Sequence, residues 1–360
     1  MTYEEALAFL FPRTTTIKFG LGTTEALLER LGRPDRVVPT IHVGGTNGKG
    51  SVVALVGEAL RAAGHRVGVY TSPHLVSFRE RIQVDGVPIS EAAVATWADA
   101  LREAILERDA TFFEAATAIA LADLAARGAE VAVIEVGLGG RLDSTNVVRP
   151  LVSAVTKIEL DHMKYLGDTL EAIAREKAWI AKPGAPFIVG ETRTGLLAVM
   201  RREAEAAVRA IDPAAPLDWR LVPPDAAWTG PLGLAGPHQR RNAAVAAAVL
   251  AALPDRWRPD AEAVRAGFAV ARVPGRLDRH GKWLFDVAHN PDGMRALVAA
   301  LRNAPPPGPV HAIVSILGDK EWPEMLVQLA EVIDRPERID ATRRRALGLD
   351  DHPVADFDRA

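Results

Sequence analysis

The chain has 360 residues, of which 48% are hydrophobic and 25% are charged, as is typical of a soluble globular protein with about two domains. Its formal net charge of -3 gives no general attraction to nucleic acid or to membranes, so neither is an expected partner. The absence of cysteine excludes disulfides, thiolate nucleophiles and cysteine metal sites. The first residues lack the features of a signal peptide and the alanine-rich segment 243–253 is too short to span a bilayer, so we predict a cytoplasmic protein.

Strands and helices alternate along the first part of the sequence. The β-branched residues of segment 37–43 predict a buried strand, and residues 52–60 predict the helix that follows it. Residues 66–70 predict a second strand, and residues 81–89 predict a hairpin that turns at Asp85-Gly86. Two helices are then predicted at 90–108 and 111–127, and three strands at 130–136, 151–157 and 186–189. This order is typical of a parallel sheet covered by helices.

A second unit begins near residue 274, after the alanine-rich helix and a further predicted helix at 260–270. Residues 282–287 and 310–317 predict strands, and residues 291–302 predict a helix between them. We therefore predict an α/β protein with two domains. Residues 1–273 would form a P-loop domain with a mostly parallel sheet and flanking helices, and residues 274–360 a smaller Rossmann-like α/β domain.

Residues 40–51, with the sequence TIHVGGTNGKGS, predict a phosphate-binding loop between a strand and a helix. Lys49 would lie over the outer phosphates of a nucleotide, and Ser51 would bring a hydroxyl close to the metal ion. The usual motif has Ser or Thr immediately after the lysine, so the intervening Gly50 makes this a variant loop. A glycine-rich turn without a ligand is the alternative. The residues predicted to contact the nucleotide here are Gly45, Thr46, Asn47, Gly48, Lys49, Gly50 and Ser51.

Three polar residues, Ser72, Glu135 and His162, lie at or just beyond the ends of predicted strands. The carboxyl ends of parallel strands meet at one edge of a sheet, where ligands of α/β proteins usually bind. A hydroxyl, a carboxylate and an imidazole beside a triphosphate would suit a magnesium site. We therefore predict that these residues lie near the phosphate loop.

Each candidate residue also has a simpler explanation. Ser72 is typical of a turn, and Glu135 could pair with Arg141 instead of binding a metal. His162 could stabilise the loop that follows it. Glu114, a possible substrate contact, is explained about as well by a helix-capping box.

The ordered motifs of this chain resemble those of the folylpolyglutamate synthase and dihydrofolate synthase family, within the Mur-type ATP-dependent amide ligases. The resemblance extends from about residue 14 to residue 320. Its motifs are residues 45–51, 71–75, 80–82, 135–146, 161–162, 176–178, 238–239, 241–243, 274–276 and 286–291. Segments 15–21 and 77–79 resemble the loops of the family on the pterin side.

The resemblance implies roles for the residues around the phosphates. Lys49 and the loop amides would hold the β- and γ-phosphates. Ser72 and Glu135 would bind one Mg²⁺ ion and His162 a second. Lys177 matches a position that the family carries as a carbamylated lysine, whose oxygens can bind a metal that an ammonium would repel. An ion pair between Lys177 and a neighbouring glutamate, Glu171 or Glu176, is the alternative.

The resemblance also implies where the nucleotide binds. Asn242, Arg276, Asp286 and His289 match nucleotide-contacting positions, with Arg276 near the phosphates and the other three toward the adenosine. Because these residues lie on both sides of residue 273, ATP would bind between the two domains.

The implied activity is that of an ATP-dependent ligase, a monomer that adds L-glutamate to dihydropteroate, reduced folates or both through an acyl phosphate. Lys49, His162, Lys177 and Arg276 would be its catalytic residues. Two alternatives are another P-loop hydrolase or kinase, and a nucleotide-binding relative without turnover. The second alternative is suggested by the C-terminal end of the sequence, where an acidic tail stands in place of the family's further strand–helix units. We therefore expect a short second domain.

Overall fold

The computed structural model describes residues 1–15, 18–318, 320–333 and 335–336 of the chain. In its first part the elements are α1 (Tyr3–Leu10), α2 (Gly22–Arg30), β1 (Thr40–Gly44), α3 (Lys49–Ala62), β2 (Val67–Tyr70), β3 (Ile82–Val84), β4 (Val87–Pro88), α4 (Glu91–Glu107), α5 (Phe112–Ala126), β5 (Val131–Glu135), β6 (Pro150–Val155), α6 (Met163–Leu166), α7 (Leu170–Ala178), β7 (Phe187–Val189), α8 (Thr194–Ile211), β8 (Trp219–Leu221), α9 (Pro237–Ala251) and α10 (Ala261–Val270). The elements that follow are β9 (Asp278–His280), β10 (Trp283–Phe285), α11 (Pro291–Asn303), β11 (His311–Ala312), α12 (Trp322–Leu329) and β12 (Arg335–Pro336).

An eight-stranded sheet with the order β4-β3-β2-β5-β1-β6-β7-β8 organises the first part of the chain. Strands β2, β5, β1, β6, β7 and β8 run parallel, and β3 and β4 form the predicted antiparallel hairpin. Asp85 and Gly86 in its turn have φ angles of 53° and 76°, the positive values that a two-residue type I′ turn requires. The register places Val43 of β1 beside Glu135 of β5, at the edge where the phosphate loop begins.

The first strand is shorter than predicted. A 3₁₀ helix at Pro34–Arg36 precedes it, and Val37 is 65% exposed instead of buried. Strand β1 begins only at Thr40 because Pro39 has no N–H to donate to the ladder.

Helices cover both faces of this sheet. In β5, Val131 and Val133 pack with α3, α9 and α10, whereas Ala132 and Ile134 pack with α4 and α5 on the other face. This burial on both sides explains why the central strands are almost entirely apolar. A further apolar cluster joins α7 and α8 to strands β6 and β7.

The second part of the chain is smaller. Within its described residues, β9 and β10 form an antiparallel ribbon, β11 and β12 a two-residue parallel ladder, and α11 packs on α12. The strands predicted at 282–287 and 310–317 are thus longer than the pairings at 283–285 and 311–312. Side chains of both segments are partly exposed, as shown by Trp283 at 52% and Ile313 at 57%. Burial of apolar side chains therefore contributes little to longer strands here. The predicted acidic tail, which follows residues 341–345 and ends at residue 360, lies outside the described residues.

In the part of the chain that the structure describes, no helix is long and apolar enough to cross a membrane. The division into domains at residue 273 stays a prediction.

Candidate active site

The phosphate loop joins the end of β1 to the start of α3. Gly48 precedes α3 with a φ of 91°, and a Cβ atom there would lie 2.5 Å from Oδ1 of Asn242. Gly45 has a φ of 137°, and a Cβ atom there would overlap the side chain of Thr156. Both positions therefore need glycine for the backbone conformation and for the close approach. The loop leaves the first N–H groups of α3 at the site, where an anion would be favoured.

The side chain of Lys49 lies across this loop. Its Nζ atom donates to the carbonyl oxygens of Gly45 and Thr46, each at 3.0 Å. Burial lowers the pKa of Lys49, and the carboxylates of Glu135 and Asp161 oppose that shift. The ammonium is thus held in the loop at the position where a phosphate would meet it.

A cavity of about 120 Å³ lies in front of the loop. It is lined by residues from separate predicted motifs, namely Gly45, Thr46, Gly48, Lys49, Gly50, Ser72, Glu135, His162, Lys177, Arg276 and His289. The backbone N–H of Ser72 donates to Oε2 of Glu135 at 3.1 Å, which joins two of the predicted metal ligands. Of the predicted metal ligands, Ser51 lines instead the larger cavity described below.

Glu135, at the end of β5, is only 5% exposed. Its burial raises the pKa of the carboxyl, whereas the charge of Lys49 lowers it. The alternative pairing with Arg141 is not found in the structure, because Arg141 forms its ion pair with Glu176 at 2.7 Å. The Glu135 carboxylate therefore lines the cavity without an ion pair to Arg141.

His162 and Lys177 reach the same cavity from α6 and α7. Although 41% of the His162 side chain is exposed, its partial burial lowers the pKa of the imidazole to about 4, against the opposing charge of Asp161. Lys177 is 5% exposed, and its burial, followed by the charge of Lys49, lowers the pKa of the amine to about 7. Within the described residues, Lys177 Nζ has no hydrogen-bond or ion-pair partner, so the alternative pairing with a helix neighbour is not found.

A larger cavity of about 640 Å³ lies between the two parts of the chain. All the predicted nucleotide contacts outside the phosphate loop line it, namely Asn242, Arg276, Asp286 and His289, together with Asn47, Gly48 and Ser51. Arg276 and His289 line both cavities, which therefore adjoin each other. The Asp286 carboxylate also accepts the N–H groups of Leu277 and Ala288, each at 2.9 Å, and so fixes the turns on either side of β9 and β10.

The sequence did not reveal the contacts that join the two parts of the chain. The carboxylate of Asp161 contacts His289 Nε2 at 3.2 Å and Lys320 Nζ at 2.7 Å. Burial opposes its ionisation, but the hydrogen bond from His289, the charge of His162 and the contact with Lys320 hold the pKa of Asp161 well below its usual range. These partners lie more than 100 residues apart in the sequence, so no local spacing indicates them.

Two other observations concern residues that the sequence singled out. Glu114 is 3% exposed and forms a complete capping box with Thr111 at the start of α5, as the simpler explanation predicted. Of the segments that resemble pterin-side loops, residues 16 and 17 lie outside the described residues, whereas Phe19 is 54% exposed and Phe78 is buried.

Comparison with known proteins identifies the family. The Mur ligase middle domain matches residues 43–189, and the Mur ligase glutamate ligase domain matches residues 275–345. A dihydrofolate synthase/folylpolyglutamate synthase of Bacillus subtilis is 34% identical over 92% of this chain and 83% of its own length. A probable bifunctional folylpolyglutamate synthase/dihydropteroate synthase of Haloferax volcanii is 37% identical over 92% of this chain, which spans 42% of that longer protein.

A solved structure has the same architecture. The E. coli FolC protein in complex with DHPP and ADP superimposes with a TM-score of 0.80 at 33% identity, over 93% of this chain and 82% of that protein. The chain therefore belongs to the folylpolyglutamate synthase and dihydrofolate synthase family of Mur-type, ATP-dependent ligases, as its motifs predicted.

Proposed function

We propose that this chain uses ATP to join L-glutamate to dihydropteroate, to reduced folates or to both. One observation carries the proposal. Lys49, Ser72, Glu135, His162 and Lys177 come from separate elements yet line one small cavity, and this cavity adjoins a second one large enough for a nucleotide. This arrangement would place the γ-phosphate of ATP beside a group of metal ligands and cations.

The chemistry that such a site would support follows from the weakness of a carboxylate as an acyl donor, since an oxide ion is a poor leaving group. Transfer of the γ-phosphoryl group to the pteroate carboxylate would give an acyl phosphate. The amine of glutamate would then attack, and phosphate would leave. Lys49 and the loop amides would hold the phosphates, and Arg276, which lines both cavities, would offset the charge that develops between them.

The donor set fits Mg²⁺. No group of three or more His, Cys, Asp and Glu side chains that could hold a metal is found in the described residues, so protein atoms alone would not complete a coordination shell. Magnesium commonly keeps several waters and takes one or two carboxylates together with phosphate oxygens. Ser72 and Glu135 would hold one ion, and His162 a second, with the Ser51 hydroxyl nearby. When bound, the ions would offset the charge of the transferring phosphoryl group.

We also propose that Lys177 is carbamylated. Its amine is buried beside the proposed metal site and has no partner among the described residues. A neutral amine would attack CO₂ and lose a proton to give a carbamate, whose oxygens could then bind a metal. Lys177→Ala should abolish turnover, and acetate or formate should restore part of it by entering the gap. Activity of Lys177→Ala close to that of the wild type would reject this role.

The decisive experiment measures phosphate release from ATP with each substrate omitted in turn. The proposal requires that release depends on both a pteroate and glutamate. Release without a pteroate or glutamate would indicate a hydrolase, formation of ADP without free phosphate would indicate a kinase, and nucleotide binding without turnover would indicate an inactive relative. Lys49→Ala should lower turnover by orders of magnitude with an unchanged circular dichroism spectrum. Lys282→Ala, which removes an exposed cation outside both cavities, is the matched control.

Monomeric state and cytoplasmic location stay predictions.

A further inference from the structure

Two asparagine side chains face each other between the two parts of the chain. Asn47 of the phosphate loop donates through Nδ2 to Oδ1 of Asn290 at 3.1 Å, and Nδ2 of Asn290 donates back to Oδ1 of Asn47 at 3.0 Å. Asn290 is only 3% exposed. We call this reciprocal pair, Asn47 and Asn290, the amide clasp.

Other contacts fix the orientation of both amides. Asn290 is the N-cap of α11, and its Oδ1 also accepts the N–H of Gly293 at 2.9 Å. Asn47 Nδ2 also donates to Oδ2 of Asp292 at 2.8 Å. The Asp292 carboxylate is itself held by Lys157, whose Nζ lies 2.5 Å from Oδ1. Reversal of either side-chain amide would bring two oxygen atoms together. The contact with Gly293 therefore fixes the orientation of the Asn290 amide, and the contact with Asp292 fixes that of the Asn47 amide.

The backbone of Asn47 is equally well anchored in the first domain. The hydroxyl of Thr156 donates to its carbonyl oxygen at 2.7 Å, and the next residue, Gly48, begins the turn into α3. The side-chain amide of Asn47 is therefore engaged by the second domain.

We propose that the amide clasp positions the second domain against the phosphate loop. Asn47 and Asn290 would act as positioning residues that hold the cleft closed over the reacting groups. Where the proposed ligase activity is assumed, a loosened clasp would admit water to the acyl phosphate. Hydrolysis would then compete with attack by glutamate.

Three variants test the clasp without destroying the fold. Asn290→Ser keeps a hydroxyl that can cap α11 but is too short to reach Asn47 in the same way. Asn47→Ala removes the opposite partner, and the third variant combines both changes. Asp260→Ser is the matched control because Asp260 caps α10 in the same manner, through the N–H of Ala263, on a helix packed against α3.

The first measurement is the distance between the two domains. Because the chain has no cysteine, Ala266→Cys and Asn303→Cys, both at exposed positions, allow specific labelling with a fluorescent donor and acceptor. With saturating MgADP, we expect the wild type and Asp260→Ser to share one narrow distance distribution. Each clasp variant should shift the ratio of closed to open molecules by roughly tenfold or more, because it removes both hydrogen bonds of the clasp. The double variant should open the cleft by less than the sum of the two single effects, because both changes remove the reciprocal pair, whereas the contact of Asn47 with Asp292 is lost only when Asn47 is replaced.

The second measurement is phosphate released per glutamate added, which should rise in the clasp variants and stay unchanged in Asp260→Ser. Wild-type distances in Asn290→Ser and Asn47→Ala, or additive effects in the double variant, would overturn the clasp. The distances are measured without turnover. Failure of the proposed ligase activity would therefore leave the test of the clasp intact.

Discussion

His42 lies at the centre of the sheet and is fully buried. Its Nε2 atom is 2.8 Å from the hydroxyl of Thr145, which in turn donates its single hydrogen to the carboxylate of Asp143. Nε2 of His42 must therefore donate to Thr145, which leaves Nδ1 without a proton, and Nδ1 has no partner in the described residues. Burial, followed by the charge of Lys182, lowers the pKa of His42 to about 3.

The pKa of His42 is about 3 in the folded chain, against an ordinary value of 6.5, and this difference gives the sign and size of the effect on stability. Between these two pH values the unfolded chain binds a proton that the folded chain does not. The free energy of unfolding therefore has its full value above pH 6.5 and falls as the pH falls. The expected loss is roughly 1.4 kcal/mol per pH unit, or about 5 kcal/mol over the whole window.

Two substitutions isolate the contribution of His42 protonation to the stability. His42→Gln keeps a donor near the position of Nε2 but does not titrate, so at pH 7 its stability should stay within about 1 kcal/mol of the wild type. His42→Leu also loses the hydrogen bond and should be less stable by about 1–3 kcal/mol at pH 7. Urea unfolding between pH 7 and pH 4 should show both variants losing roughly 3 kcal/mol less than the wild type. Parallel pH curves for the wild type and His42→Gln would refute the buried neutral imidazole.

Three further predictions concern other parts of the site. In Gly140→Ala the new Cβ would lie 3.0 Å from Cα of Lys177. We therefore expect the free energy of unfolding, measured by thermal unfolding, to fall by about 1–3 kcal/mol and ligation to be slower. Gly195→Ala, where the new Cβ would lie in open space, should keep the wild-type rate. Arg241 donates to four carbonyl oxygens beside the larger cavity, so Arg241→Lys should weaken ADP binding roughly tenfold by calorimetry. Glu114→Ala should cost about 1 kcal/mol in urea unfolding and leave the KM for the pteroate unchanged; a raised KM would favour the substrate contact instead.

The features predicted best from the sequence are those encoded within a few residues. The phosphate loop combines a strand, glycines and a helix start in twelve positions, and the structure contains all three in that order. The Asp85-Gly86 turn is also local, because only residues that tolerate positive φ complete it. The predicted start of the first strand was wrong, because Val37 is β-branched yet lies in the exposed segment after a 3₁₀ helix.

The features that the sequence did not reveal depend on distant pairs. Nothing near Asp161 indicates that its carboxylate contacts Lys320, and nothing near Lys157 indicates its contact with Asp292. Such pairs form only when both domains are folded, so neither helical nor strand periodicity in the sequence predicts them. The family resemblance predicted nucleotide-contacting residues on both domains, but it did not predict the polar contacts between the domains.

The placement of the site between two cores has a mechanical consequence. The second domain has its own apolar cluster, including Met294, Val298 and Met325, whereas polar and charged contacts join it to the phosphate loop and Asp161. Polar contacts can be exchanged for contacts with water at small net cost, whereas opening an apolar core exposes its surface. The two domains can therefore separate without either core opening. Because Arg276 lines both cavities, such a separation would change the site itself, so contacts between the domains should affect the rate although they lie outside the reacting groups.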